Sequence, residues 1–196
     1  MKGITPEILK RCKRGDRKAQ SELYEACFGF LMAVCRRYTR NEDDAHAYLN
    51  LAFYKILTKL NRYKTDLNFK AWSKTILVNS IIDEIRKDKR YRQYVGLAEE
   101  TGQQAMSADL LFESDAVDAE EIYQYIRSLP PVTATVFNLY ALDGYKHREI
   151  GKKLGMSENT SKWHFHEAKK RLQVMVIKGM ERKKKAHMNK AEAVEI

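Results

Sequence analysis

Between Ser157 and Leu172 the chain reads SENTSKWHFHEAKKRL, in which cations, an indole and imidazoles recur at helical spacing. Ser161, Phe165, Ala168 and Leu172 share one face at steps of three and four. Thr160, Lys162, Trp163, His166, Glu167 and Lys170 are left off that face. No nucleophile–base set is present in this stretch. Its side chains suit the outside of a DNA duplex, where cations meet phosphates and polar tips meet base edges. Lys162 and Lys170 are expected to contact phosphates. Trp163 suits either a neighbouring helix or sugar and thymine methyl groups. Glu167 suits either a cytosine amine or an ordinary pair with Lys170 or Arg171. His164 and His166 point about 200° apart on a helix, which disfavours a shared metal.

A helix that reads DNA needs a partner to hold it. The preceding HREIGKKLGM supplies Ile150, Leu154 and Met156 as apolar contacts of a short first helix. Gly151 offers a small side chain where a second helix must cross closely. Gly155 marks a tight turn that favours positive φ, and Ser157 is a good N-cap for the next helix. These features predict a helix-turn-helix, whose second helix fits a major groove about 12 Å wide.

A second constellation lies upstream. Trp72, Ile76, Asn79, Asp83, Arg86 and Arg90 follow at steps of three and four, apolar first and polar from Asn79 onward. Asp83 with Arg86 or Lys87 also reads as a plain surface pair. Tyr63, Phe69 and Trp72 stand beside Lys64, Lys70 and Lys74. Aromatic faces mixed with cations suit unstacked bases of a single strand. Core packing is the competing fate of Phe69 and of part of Trp72.

The positioning elements are helical throughout. Leu23, Cys27, Leu31, Val34 and Tyr38 mark one amphipathic helix. Ala45, Tyr48, Leu49, Ala52, Phe53, Ile56, Leu57 and Leu60 mark a second, with Asn41 as its N-cap and three acids behind it. NRYKTDLN, from Asn61 to Asn68, breaks the period and reads as a loop. A third helix starts near Phe69 and is expected to run into RKDKRYR. SLPP separates two later helices, since proline suits a loop or a first helical turn. Asp143-Gly144 reads as a turn.

Charge divides the chain. The 196 residues carry a net +10. Residues 1–92 carry +10, residues 93–126 carry −8 with no lysine or arginine, and residues 127–196 carry +8. The predicted fold class is all-α, with two small helical domains joined by an acidic linker, the C-terminal one containing the helix-turn-helix. The expected boundaries are 1–94, a linker over 95–117 in which ADLLFE is a possible short contact element, 118–178, and a basic tail over 179–196. That tail is expected to fray; contact with DNA is the less favoured alternative for it. A basic chain of this kind favours a polyanionic partner.

Cys12, Cys27 and Cys35 lack any paired metal-type spacing, and the latter two fall among apolar residues as small hydrophobes. No signal peptide is evident and no apolar run approaches the roughly 18 residues of a membrane span. The cytoplasm is the expected compartment. Without a metal-ligand cluster or a phosphate-cradling glycine loop, neither an enzyme nor a cofactor is expected. The competing reading is a stand-alone helix-turn-helix regulator whose N-terminal domain senses a ligand or dimerises.

Three segments together resemble a known family. They are GDRKAQSELYEACFGFLMAVCRRYTRNEDDAHAYLNLAFYKILTKL, then FKAWSKTILVNSIIDEIRKDKR, then the stretch from Leu129-Pro130 through VFNLYALDGYKHREIGKKLGMSENTSKWHFHEAKKRL. In that order they look like the sigma-2 and sigma-4 regions of bacterial sigma factors, in particular the small extracytoplasmic-function class. The resemblance implies a promoter-specificity subunit of RNA polymerase. Its rear half would read the minus-thirty-five element as duplex through Ser157, Thr160, Lys162, Trp163, His166, Glu167 and Lys170. Its front half would bind the minus-ten element and capture the opened strand. The candidates there are Tyr63, Lys64, Asp66, Asn68, Trp72, Asn79 and Asp83, with Arg86, Lys87 and Arg90 on backbone phosphates. The acidic linker resembles the connector that threads basic polymerase channels.

Implied partners are core polymerase, through the clamp of the beta-prime subunit and the beta flap, promoter DNA in duplex and single-stranded form, and an anti-sigma factor. A small-molecule substrate is not implied. The clamp-gripping segment of the family reads A-E-D, two hydrophobic residues, Q-E. Here it is Ala45-His46-Ala47-Tyr48-Leu49-Asn50-Leu51, so Ala47, Asn50 and Leu51 depart from the pattern. Asp43, Asp44, Tyr48, Asn50 and Leu51 are the polymerase-binding candidates. The recognition helix also lacks the family's arginine-rich run.

Overall fold

The computed structural model describes residues 3–64, 68–87 and 119–192, with side chains to 185. Asp66, Arg90 and the linker over 95–117, including ADLLFE, lie outside the described residues. Among those described, the regular elements are helices, and the chain divides into two compact units, Met1–Lys89 and Arg90–Ile196.

In the first unit, α1 (Pro6–Lys13) was not evident in the sequence pattern. Thr5 caps it by accepting from the Ile8 amide at 3.2 Å, and Pro6 occupies its first turn. Asp16 then caps α2 (Arg17–Tyr38) through the Ala19 amide, 3.1 Å, and takes the Arg11 guanidinium at 2.8 Å. Those two hydrogen bonds hold the Asp16 carboxyl below its usual range, the Arg11 bond contributing most. Asn41 caps α3 (Glu42–Lys59) as expected, accepting from the Asp44 amide at 2.7 Å. A 3-10 turn over Leu60–Arg62 leads toward α4 (Phe69–Lys87).

The core of this unit is the set of stripes read from the sequence. Leu23, Cys27, Leu31 and Cys35 of α2 are fully buried, with Leu49, Ala52 and Ile56 of α3 and Leu77 and Ile81 of α4. Burial pushes the Cys27 and Cys35 thiols up to about 12, so neither is a reactive thiolate near neutrality. Two buried serines on α4 are satisfied along their own helix. Ser73 donates to the Phe69 carbonyl at 2.7 Å and Ser80 to the Ile76 carbonyl at 2.8 Å.

In the second unit, α5 (Ala119–Ser128) and α6 (Pro131–Phe137) meet at the Leu129-Pro130 corner, with Pro131 in the first turn of α6. A π-turn over Asn138–Leu142 follows, and Gly144 adopts φ 77° in the bend. Then come α7 (His147–Leu154) and the long α8 (Glu158–Glu192). Ile126, Leu129, Phe137, Ala168 and Leu172 form the buried centre.

Within the tail expected to fray, residues 179–192 are instead the continuation of α8. Its residues are good helix formers, and α5 holds it from the side. Glu121 receives the Tyr125 hydroxyl at 2.6 Å and the Lys183 ammonium at 2.5 Å. Gly179 is buried beneath Tyr125, where a Cβ would collide with the hydroxyl. Glycine in mid-helix normally weakens the helix, but here it admits the crossing.

Candidate nucleic-acid interface

The helix-turn-helix is built around two glycines and a serine. Gly155 closes α7 in the left-handed region, φ 70° and ψ 35°, which a side chain disfavours. The Gly151 carbonyl accepts the Met156 amide at 3.0 Å. A Cβ at Gly151 would sit 2.7 Å from the Met156 carbonyl oxygen. The close approach expected at Gly151 is therefore to the turn backbone, just before the second helix begins. Gly151→Ala is expected to destabilise this unit by about 1–2 kcal/mol, a backbone clash of about 1–3 partly offset by better helix propensity. A thermal melt monitored by circular dichroism checks it; an unchanged or raised midpoint would show that the turn can yield.

Ser157 caps α8, its hydroxyl accepting the Thr160 amide at 2.9 Å and lying 2.7 Å from the Thr160 hydroxyl. Thr160 is thereby buried, at 5% exposure, and is not on the outward surface where the sequence reading put it. The physical reason is the cap itself, which draws both hydroxyls together over the helix start. Asn159 takes the outward place. It is exposed and precedes Trp163, His166 and Lys170 at steps of four, three and four. That spacing was available in the sequence. An asparagine near the start of a recognition helix is suited to adenine.

The other members of the set surround this face. Trp163, His166 and Glu167 are half-buried and Lys170 is exposed. Lys162 pairs with Glu158 at 2.8 Å, and Glu167 takes the Arg171 guanidinium at 2.5 Å, the plainer of its two readings. His164 points inward. Its Nδ1 lies 3.1 Å from the Thr133 hydroxyl, and burial pushes its pKa down to about 4. His147 braces the two helices, with Nδ1 3.0 Å from the Ser161 hydroxyl and its ring stacked on Tyr140 at 4.2 Å.

In the first unit the constellation splits. Tyr63 is not a surface residue, at 7% exposure. It packs edge-on against Phe69 at 5.3 Å and lies 5.0 Å from Trp72, a three-ring cluster that the loop's polar composition disguised. Phe69 is buried and Trp72 half-buried. Lys64 and Asn68 are exposed, Asn68 accepting from the Lys70 amide at 2.9 Å at the entry to α4. Along α4 the stripe passes from buried Ile76 through half-buried Asn79 to exposed Asp83, Arg86 and Lys87. Asp83 pairs with Lys55 of α3 at 3.6 Å, and Lys87 with Glu84 at 2.7 Å. Such exposed pairs are worth under about 1 kcal/mol, so they do not bar either residue from a partner.

On α3, Asp43 and Asn50 are exposed, while Tyr48 and Leu51 are half-buried. Asp44 is held by the Asn41 amide nitrogen at 2.9 Å, and the Tyr24 hydroxyl donates to Asn50 at 3.1 Å. Tyr54, 66% exposed, extends the face of Asp43, Ala47 and Asn50, and had not been singled out.

Comparison with known proteins agrees with this architecture. The family model described as Sigma-70 region 2 matches residues 23–91, and the one described as Sigma-70, region 4 matches residues 119–172. Together they take in more than half of the chain, one in each compact unit. RNA polymerase sigma factor SigV of Bacillus subtilis is 25% identical over 141 residues, 72% of this chain and 81% of that protein. RNA polymerase sigma factor CarQ of Myxococcus xanthus is 22% identical over 168 residues, 86% of this chain and 95% of that protein. A co-crystal structure of the sigma factor RpoE with the anti-sigma factor NepR from Bartonella quintana is similar at TM-score 0.48 and 19% identity, over 80% of this chain and 95% of that one. The two helical units, their order and the two matched regions define a class: the chain belongs to the extracytoplasmic-function sigma factors. As such it is an alternative sigma factor that directs RNA polymerase, and its partners are the polymerase and promoter DNA.

Proposed function

We propose that the two units divide promoter recognition between paired and unpaired DNA. The second unit reads the minus-thirty-five element as duplex, with Asn159, Trp163 and His166 toward the bases and Lys170 on phosphate. Lys162 reaches a phosphate by leaving Glu158. The first unit binds the minus-ten element and holds its opened strand against Trp72 and Asn79, with Lys64, Asn68, Arg86 and Lys87 around them. One observation supports each reading: the capped, glycine-closed helix-turn-helix for the second unit, and for the first unit the α4 stripe on which half-buried Trp72 and Asn79 lead to exposed cations.

Core polymerase joins the units, through the exposed side of α3 (Asp43, Asn50) with Tyr48 and Leu51, and through the beta flap at the second unit. Neither unit alone needs high affinity, because polymerase holds both at a spacing where one bound site raises the effective concentration at the other. The chain itself performs no covalent step and acts in the cytoplasm; among the described residues no helix is long and apolar enough to cross a membrane.

A gel shift with and without core polymerase tests this reading. Promoter binding should require core, and Asn79→Ala should reduce capture of a strand-separated minus-ten probe while leaving the melting temperature nearly unchanged. Tight duplex binding by the chain alone, indifferent to core, would support a stand-alone regulator. A large drop in melting temperature for Asn79→Ala would mark Asn79 as a packing residue.

A further inference from the structure

The stripe on α4 carries less positive charge than its cationic end suggests. From Asn79 to Lys87 the helix holds two acids, Asp83 and Glu84, against two cations, Arg86 and Lys87. Glu84 holds Lys87 at 2.7 Å, which leaves Arg86 set against Asp83 one turn before it. Trp72, Ile76, Asn79, Asp83 and Arg86 share one side of the helix at steps of four, three, four and three. A neighbouring helix supplies the balance. Lys55 of α3 reaches the Asp83 carboxylate at 3.6 Å, its side chain 29% exposed against 57% for the acid. Lys55 follows Tyr48 and Leu51 at steps of three and four, so it lies on the same side of α3 as those half-buried residues. Most of its stem is covered and its ammonium emerges at the acid, as suits a lysine at the edge of two packed helices.

We infer that Lys55 is a positioning residue of the strand-capture site: by offsetting the Asp83 charge it keeps α4 attractive to the phosphates of the unpaired strand. The inference rests on the proposed placing of that strand along Trp72 and Asn79. A strand on that line passes Asp83, one turn beyond Asn79, before it reaches Arg86. An unpaired carboxylate there would repel the phosphates and draw the Arg86 guanidinium toward itself. With Lys55 counted, the charges from Asp83 to Lys87 sum to one positive rather than none. The pair itself adds little to folding, because both charges remain in contact with water. Its two members therefore act on the strand in opposite directions, the lysine in favour and the aspartate against. A plain brace between α3 and α4 would depend on both alike.

The test uses the full chain bound to core polymerase, with core alone as background. The probe is a labelled random-sequence single strand of about 20 nucleotides, since phosphate attraction is independent of sequence. By fluorescence anisotropy in about 0.1 M salt, Lys55→Ala should weaken the strand binding that the chain adds to core by about threefold, the scale of one exposed charge pair. Lys55→Arg should retain that binding. Asp83→Asn alone should bind at least as tightly as the parent, and added to Lys55→Ala it should restore the loss. The Lys55→Ala deficit should shrink as salt rises to about 0.4 M, where screening cuts the reach of a charge to about 5 Å. A duplex of equal length, read by the second unit, should respond to none of these changes, and melting temperatures control for folding. Equal weakening by Asp83→Asn and Lys55→Ala would make the pair a brace between helices and overturn the proposal. So would a Lys55→Ala deficit that Asp83→Asn leaves in place, or no deficit at all. A parent chain that adds no strand binding to core would instead sink the promoter reading and this inference together, an outcome distinct from the others.

Discussion

Acidification from pH 7 to pH 4 is expected to remove about 3 kcal/mol from the second unit through His164 alone. The imidazole is 3% exposed, its Nδ1 engaged by Thr133 and its Nε2 without a hydrogen-bond partner. Burial holds its pKa down to about 4, against an ordinary value of 6.5, with the Glu167 charge pulling the other way. The folded state thus disfavours the proton that the unfolded state accepts. The stability this contributes is complete above about pH 6.5 and is lost as pH falls toward 4. Urea titrations of the full chain, followed by Trp163 emission in a Trp72→Phe background, read the effect, since the Trp163 ring lies 4.9 Å from His164. His164→Phe should flatten the curve across that window relative to the parent, the carboxylates being common to both. Parallel curves for the two proteins would show that some other group carries the acid sensitivity.

The second large effect concerns affinity. Removing a phosphate contact lowers the magnitude of the slope of log affinity against log salt by about 0.9. Lys170→Ala should show that full reduction on a random-sequence duplex, because Lys170 is exposed. Lys162→Ala should show less, because Lys162 is already shared with Glu158 at 2.8 Å and must give up that pair. Weakening should be uniform across sequences for both. A response confined to one base position would make the lysine concerned a base reader.

The same pair of lysines illustrates what the sequence could convey. Local signals were legible where one residue does one job: Asn41 and Ser157 as caps, Gly155 as a left-handed stop, and the stripes that became the cores of α2, α3 and α4. Helix α1 was hidden because eight residues offer only two turns of periodicity, although Thr5-Pro6 is a fair start signal. The π-turn over Asn138–Leu142 has no composition of its own. Long-range contacts were least legible. Thr133 reaches His164 across 31 residues and Glu121 reaches Lys183 across 62, and no local pattern announces either. The second of these turned an expected loose tail into supported helix. On the candidate interface, Trp163, His166, Glu167 and Lys170 keep the partial or full exposure that helical spacing implied, whereas Thr160 and Tyr63 are buried, for distinct reasons. A hydroxyl cap drew one inward, and two neighbouring rings enclosed the other.

In the proposed polymerase contact on α3, Ala47, Asn50 and Leu51 stand where the resembled family pattern has polar handles, which makes that proposed contact the point of greatest consequence. Core RNA polymerase mixed with this chain and a genomic promoter library measures it directly. Transcripts with defined start sites are expected only when both are present. Absence of such transcripts, with the chain failing to co-purify with core, would contradict it.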